Sequence, residues 1–454
     1  MIERLRSSLG FDTVLTGAEV SSRSSGIWRQ DTIQAKALIR PRTTEEVGTA
    51  LAICHEFGQS VVPHGGLTGL VKSAITEPDD VVLSLERMNQ IEEVNVIDRT
   101  MIVQSGVILQ SLQEEAEKHG LMFPLDLGAR GSCTIGGNIS TNAGGNRVIR
   151  YGMTRDMVLG LEAVLADGTV VSSMNQMIKN NAGYDVKQLF IGTEGSLGIV
   201  TRAVLRLREL SGSRSTFLVA VDEFDKLSLF LKHIDNSLSG SLSAFEVMWN
   251  NFYRLVTTAP AKNTAPLSQD YPYYILVESI GFDDQLIETS LEEAFDKGLI
   301  VDAVVSKSES QRLELWNIRD SVEECLQFKP SYTFDVSMRI SKMGDYVHEL
   351  NRRLKNKFEN YTNFTFGHMA DGNLHLVISV GKGGDQVRAQ VEKCVYEPLR
   401  AINGSVSAEH GVGLEKKPYL HLSRSEVEIN LMRRLKMALD PKSILNPGKI
   451  FDNN

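Results

Sequence analysis

Apolar positions recur along the chain with two periods, one of helices and one of strands. From Pro41, PRTTEEVGTALAICHEFG puts Val47, Ala50, Cys54 and Phe57 on one helical face, with Thr43 and Glu46 at capping-box spacing. A short SVV strand then leads into PHGGLTGL (63–70). VVLSL (81–85) and MIVQSGVIL (101–109) read as strands, and LQSLQEEAEKHG as a helix ending at Gly120. VLGLEAVLADGTVV (158–171) predicts a hairpin turning at Asp167-Gly168, and FIGTEGSLGIVTRAVLRL (190–207) a glycine cluster running into a strand. Up to about Leu210, strands, helices and glycine loops alternate.

The pattern then changes. SGSRS (211–215) marks a boundary, after which FLVAVDEFDKLSLFLKHI and YYILVESIGFDDQLIETSLEEAFDKGLIVDAVVS each run from strand to helix without glycine clusters. A helix over 309–326, the strand YTFDVSM and a helix over 342–357 continue this region. NFTFGHMADGNLHLVISV (363–380) predicts two strands around an Ala-Asp-Gly-Asn turn, and the tail a helix stopped by Pro441. The simplest packing is a sheet with helices on one face. No tandem repeat or low-complexity segment interrupts this α+β pattern.

A length of 454 residues calls for two or three domains, and 42% hydrophobic with 23% charged residues is ordinary for a soluble globular protein. The net charge of -9 argues against nucleic acid as a partner. Cys54, Cys133, Cys325 and Cys394 are scattered without a C-x-x-C pair, which excludes a zinc ribbon or disulfide scaffold and suits a reduced compartment. MIERLRSSLG lacks an apolar secretory core, and no run of about 18 apolar residues predicts a membrane span. The expectation is a cytoplasmic protein, although a processed organellar form would look the same.

Two constellations carry candidate chemistry. PLDLGARGSCTIGGNISTNAGGNRVIRYG, from Pro124 to Gly152, sets Gly136-Gly137 and Gly144-Gly145 among Ser132, Thr134, Asn138, Ser140, Thr141 and Asn142. Close backbone approach at glycine, exposed N–H groups and short hydroxyls suit phosphate oxygens. The segment is neither a Walker loop nor a G-x-G-x-x-G fingerprint, so its residues alone fit a nucleotide cofactor or an ordinary glycine-rich loop. In the second constellation, His368 and His375 flank the turn of GHMADGNLHL, and Glu409 and His410 follow in SAEHGVG. Across a hairpin the two imidazoles can converge. With one carboxylate they make a ligand set for a divalent metal, zinc before manganese, against the alternative of separate structural histidines.

PHGGLTGL, PLDLGARGSCTIGGNISTNAGG, RYG, GYDVKQLFIGTEGSLGIVT, GHMADGNLHL, EHGVG and LDPKSILNPGKI, in this order from about Ala35 to Phe451, resemble a known family. It is that of the flavin-linked 2-hydroxy-acid dehydrogenases of the vanillyl-alcohol oxidase and p-cresol methylhydroxylase superfamily. Their close members oxidise D-2-hydroxyglutarate or D-lactate. The resemblance implies residues 1–34 as an N-terminal segment and 35–210 as a two-subdomain PCMH-type FAD-binding domain. Residues 211–420 would be a substrate domain with an antiparallel sheet flanked by helices, and 421–454 a segment returning to the FAD domain.

It further implies non-covalent FAD. Pro63, His64, Gly65, Gly66, Leu67, Thr68, Gly69 and Leu70 would cradle the pyrophosphate. Pro124, Leu125, Asp126, Gly131, Ser132, Thr134, Ile135, Gly136, Gly137, Asn138, Thr141, Asn142, Gly144, Gly145, Tyr151 and Gly152 would run along pyrophosphate, ribitol and isoalloxazine. Glu194, Gly195, Gly198, Ile199 and Val200 would close over the adenine side, and Asn446 would return toward the flavin. Some superfamily members attach FAD to a histidine, but those linkages near this loop follow the Gly-Gly pair, whereas His64 precedes it.

For the chemistry, the resemblance implies a metal on His368, His375 and Glu409, His410 as catalytic base, Asn373 supporting the site and Arg319 clamping the substrate carboxylate. Departures from the hydroxyglutarate pattern are Glu323, where that branch has a threonine, and, within a one-residue gap, Thr333, where it has a lysine; Thr333, expected with Arg319 and Asn373 at the substrate, resembles the lactate-type branch. Lys329 or Arg339 could replace the missing cation; Arg339 stands where the family usually has a proline. The expected activity is oxidation of an (R)-2-hydroxy acid to the 2-oxo acid by a homodimer. Electrons would pass to electron-transferring flavoprotein, a quinone or a cytochrome. The alternatives are a metal-independent FAD alcohol or alditol oxidase and a flavin-free zinc hydrolase.

Overall fold

The computed structural model describes residues 1–210, 212–281 and 284–452. Ser211, at the expected boundary, and Phe282 and Asp283, in the second strand–helix segment, lie outside the described residues. The chain forms two units: Met1–Gly145 with Gly152–Leu210 and Glu409–Asn454, and Asn146–Tyr151 with Ser211–Ala408.

The first unit contains two main sheets. One has four strands in the order Val14–Leu15, Ala37–Ile39, Val81–Ser84 and Val61–His64, the last three mutually parallel. The capped helix Thr44–Glu56 packs its Val47, Ala50, Leu51 and Cys54 into the core beside this sheet. Thr43 Oγ1 accepts the Glu46 N–H at 3.3 Å, as the sequence spacing predicts. The other sheet is antiparallel, ordered Ile91–Asn95, Thr100–Gln104, Ile199–Arg206, Val158–Val164 and Val170–Ser173. Its last two strands form the expected hairpin, with Gly168 at a φ of +89° in the turn.

The second unit is built on one antiparallel sheet of seven strands. They run Asp302–Val305, Arg214–Val221, Tyr273–Ile280, Leu242–Trp249, Thr362–His368, Asn373–Ser379 and Ser331–Ser337. Helices cover both faces, not one. Phe252 of Asn250–Thr257 stacks on Phe366 at 4.4 Å, whereas Phe230 of Phe224–Ser237 meets Phe245, which faces the opposite side from Glu246, at 6.0 Å. The run Phe217–Val221 is wholly buried, residue after residue, which is the signature of a strand covered on both sides.

Candidate functional site

In the first unit the three glycine motifs and the tail converge. Val61–His64 ends beneath Gly65–Leu70, and that loop lies against the Pro124–Gly145 segment. A Cβ on Gly65 would stand 2.6 Å from Thr134 Oγ1, and one on Gly66 would collide with the Ser132 carbonyl. A Cβ on Gly195 would stand 2.6 Å from Pro63 Cγ, so the third motif reaches the same place. The segment read as a loop is partly helical over Ile135–Thr141, because Gly136 N–H donates to Ser105 O at 2.8 Å and lies flat on that residue. Asn446 N–H donates to Val61 O at 2.8 Å, and its Nδ2 to Glu194 O at 2.7 Å.

The remaining expected cofactor residues divide. Leu125 and Gly145 belong to the same packing, Leu125 O accepting Gln113 Nε2 at 2.6 Å. Asp126 pairs with Arg130 at 3.1 Å, and Gly198, Ile199 and Val200 open the strand beside Phe190. Tyr151 lies in Val148–Tyr151, which belongs to the second unit. There Arg150 Nη1 donates to Gly240 O at 3.2 Å, and Arg147 Nε stands 3.9 Å from Glu278 Oε1.

His64 is 3% exposed, its Nε2 2.8 Å from Ala74 O. Burial pushes the imidazole down to about 4, against a small upward pull from that carbonyl. Glu194 turns its buried carboxylate to the loop after His410: it accepts Val412 N–H at 2.7 Å, Gly413 N–H at 3.0 Å and the Ser73 hydroxyl. Burial raises its pKa against those hydrogen bonds. Glu409 and His410 are half-buried, and a Cβ on Gly144 would stand 3.0 Å from Glu409 Oε1.

In the second unit the hairpin brings the two histidines together. His368 closes Thr362–His368, His375 lies in Asn373–Ser379, and their Nε2 atoms are 3.2 Å apart with the rings at 85°. His368 Nδ1 is 2.6 Å from Glu246 Oε1, and Glu246 Oε2 accepts Arg319 Nε at 2.7 Å. Burial opposes ionisation of Glu246, but its neighbours His368 and Arg319 outweigh it and lower its pKa. Arg319 is 4% exposed, its guanidinium carbon 4.9 Å from the Phe366 ring centroid. Asp335, wholly buried, pairs in register with His375 and accepts Ala408 N–H at 2.9 Å. Glu409 is the next residue along. Asn373 is buried, with an Oδ1 that has no partner.

Glu246 escaped the sequence reading. Its signal was a lone acid at an inward position of an otherwise apolar strand, SAFEVMW. Glu323, Lys329, Thr333 and Arg339 are all exposed.

Two family models match: an FAD binding domain over residues 35–173 and the C-terminal domain of FAD linked oxidases over 211–450. The chain belongs to the FAD-linked oxidases. The D-2-hydroxyglutarate dehydrogenase of Xanthomonas citri pv. viticola is 39% identical over 92% of this chain and 89% of its own. The mitochondrial D-2-hydroxyglutarate dehydrogenase of Bos taurus is 38% identical over 92% and 77%. The structure of p-cresol methylhydroxylase with substrate bound shares the fold, with a TM-score of 0.77 at 17% identity over 100% of this chain and 97% of that one. The PCMH-type fold, the FAD cofactor and an FAD-linked dehydrogenase are thus as the resemblance implied. The first unit suits FAD in detail. Ser105 Oγ, Thr134 Oγ1, Asn138 Oδ1 and Asn446 Oδ1 are buried there without hydrogen-bond partners, a demand that a polar, phosphorylated cofactor answers. Among the described residues, no helix of this FAD-linked oxidase is long and apolar enough to cross a membrane.

Proposed function

We propose that this FAD-linked oxidase carries out the metal-assisted oxidation of an (R)-2-hydroxy acid, such as D-2-hydroxyglutarate or D-lactate, to the 2-oxo acid. The observation that supports it most is the joining of His368 and Arg319 through one buried carboxylate. This combines a metal-type ligand with a cation suited to a carboxylate. His368, His375 and Glu409 would hold the divalent ion, zinc before manganese. FAD, when bound, accepts the Cα hydride, and the divalent ion acidifies the substrate hydroxyl.

The chain's residues supply the rest. Arg319 binds the α-carboxylate, His410 takes the hydroxyl proton, and Asn373 offers Oδ1 to the bound acid or metal shell. Electrons leave to an external acceptor: electron-transferring flavoprotein, a quinone or a cytochrome. We further propose a cytoplasmic location, consistent with four buried, unpaired thiols, and a homodimer.

Substrate choice between the dicarboxylate and lactate types turns on the distal group. Relatives named for D-2-hydroxyglutarate favour the dicarboxylate, whereas Glu323 and Thr333 favour a small distal group. The test is anaerobic bleaching of the flavin against a panel of D- and L-2-hydroxy acids. We expect selective reduction by D isomers. A flavin reduced by none of them sinks the proposal, and reduction by simple alcohols with undiminished rate in EDTA favours the metal-independent oxidase. Family membership sets aside the flavin-free hydrolase.

A further inference from the structure

Glu246 has no exposed surface and makes two charged hydrogen bonds in different directions. A carboxylate held ionised can only accept, so the hydrogen on His368 lies on Nδ1, 2.6 Å from Oε1. In the neutral imidazole Nε2 then carries the lone pair, and it stands 3.2 Å from His375 Nε2. Toward Arg319, Oε2 engages Nε, the inner nitrogen of the fork, at 2.7 Å. With one face of the guanidinium over Phe366, the outer edge with both terminal nitrogens remains to grip a second carboxylate in the bidentate manner. The register makes this arrangement rigid, because Glu246 and His368 are directly paired on adjacent strands.

We infer that Glu246 is a positioning residue that couples metal binding to substrate-carboxylate binding, setting the tautomer of His368 and the heading of Arg319 at once. The inference rests on the metal-assisted reading above. It adds that the two events share one residue and weaken together when it is lost. Glutamine at this position is nearly isosteric but offers a single oxygen. Its amide N–H groups would face one of two donors, so either one of the two bonds fails or His368 turns to the Nε2–H tautomer, whose Nε2 no longer binds a metal.

The experiment uses purified FAD holoenzyme with Glu246→Gln and Glu246→Asp. Zn²⁺ affinity is measured by chelator competition, oxalate affinity by its perturbation of the flavin spectrum with and without Zn²⁺, and the His368 tautomer by ¹⁵N ring shifts. For Glu246→Gln we expect Zn²⁺ affinity to fall roughly 10–100-fold, weaker oxalate binding even in metal-stripped protein, and loss of the pure Nδ1–H tautomer. Glu246→Asp keeps the charge but shortens its reach; it carries the test if the Gln variant does not fold, with smaller losses of both affinities. Oxalate binding to metal-stripped variants at wild-type strength overturns the coupling, as does Zn²⁺ binding that is unaltered. A wild-type protein that holds no Zn²⁺ and is reduced by no 2-hydroxy acid overturns the functional reading together with the coupling. A wild type that does both, beside indifferent Glu246 variants, overturns the coupling alone.

Discussion

His64 illustrates how far one side chain's environment can depart from its sequence neighbours. It ends a strand at the mouth of the first glycine loop, buried and bonded to Ala74 O, with a pKa near 4 in place of the ordinary 6.5. As pH falls below 6.5, the unfolded chain takes up this proton first, so folding loses stability until the folded pKa near 4 is reached. The contribution is complete above that window and lost below it, about 3 kcal/mol in all. His64→Asn should flatten the fall in melting temperature between those pH values; an unchanged slope would contradict the assignment. With its Nε2 committed to Ala74, His64 also suits non-covalent FAD, which should leave the protein on acid precipitation. At His410 the expected result is chemical: His410→Asn should retain FAD and lower anaerobic flavin reduction by about 10²–10⁴-fold. Equal reduction rates would remove it as the base.

At the scale of elements, one buried lysine ties the tail to the third glycine motif. Lys436, on the capped helix Glu426–Leu439, is 2.6 Å from Asp440 Oδ2 and donates to Ser196 O and Leu445 O at 2.7 Å. Asp440 in turn accepts Ile444 and Leu445 N–H. Lys436→Met leaves that carboxylate buried without its partner and should cost about 3–5 kcal/mol in denaturant unfolding; a loss below about 1 kcal/mol would mean the site relaxes or hydrates readily. Element types were mostly readable from periodicity, whereas element ends depended on packing. MIVQSGVIL is a strand only over Thr100–Gln104: Gly106 lies so close to the Leu85 carbonyl that no side chain fits, and Leu109 already starts a helix. The helix expected over 309–326 ends at Asp320, where Ser321 Oγ binds Asn317 O at 2.7 Å, and continues as the 3₁₀ turn Val322–Gln327. The helix inside the Pro124–Gly152 segment was invisible because glycine, serine and asparagine disfavour helix, and contact with Ser105 overrides that preference.

For the whole molecule, the division of labour between the units has a direct consequence. The glycine motifs and the orphaned polar atoms suited to FAD belong to the first unit, as does Glu409, and His368, His375, Glu246 and Arg319 belong to the second. If the proposed metal is held chiefly by the two histidines, removing it with EDTA should leave FAD bound and its spectrum little altered, while abolishing flavin reduction by a D-2-hydroxy acid. Added Zn²⁺ or Mn²⁺ should restore it. Release of FAD along with the metal would show that the two sites are not separable.

The sequence by itself determined the family, the FAD cofactor and the alternation of helix and strand, because these are written in ordered local motifs and in residue periodicity. It also singled out His368 and His375, whose turn lies within one short hairpin. Only the tertiary structure decided that helices cover both sheet faces, that Glu194 turns to the loop after His410, and that Glu246 joins His368 to Arg319. The contacts of Glu194 and Glu246 span 73 to 218 residues of chain, and no local pattern encodes which acid a distant strand will set beside a histidine.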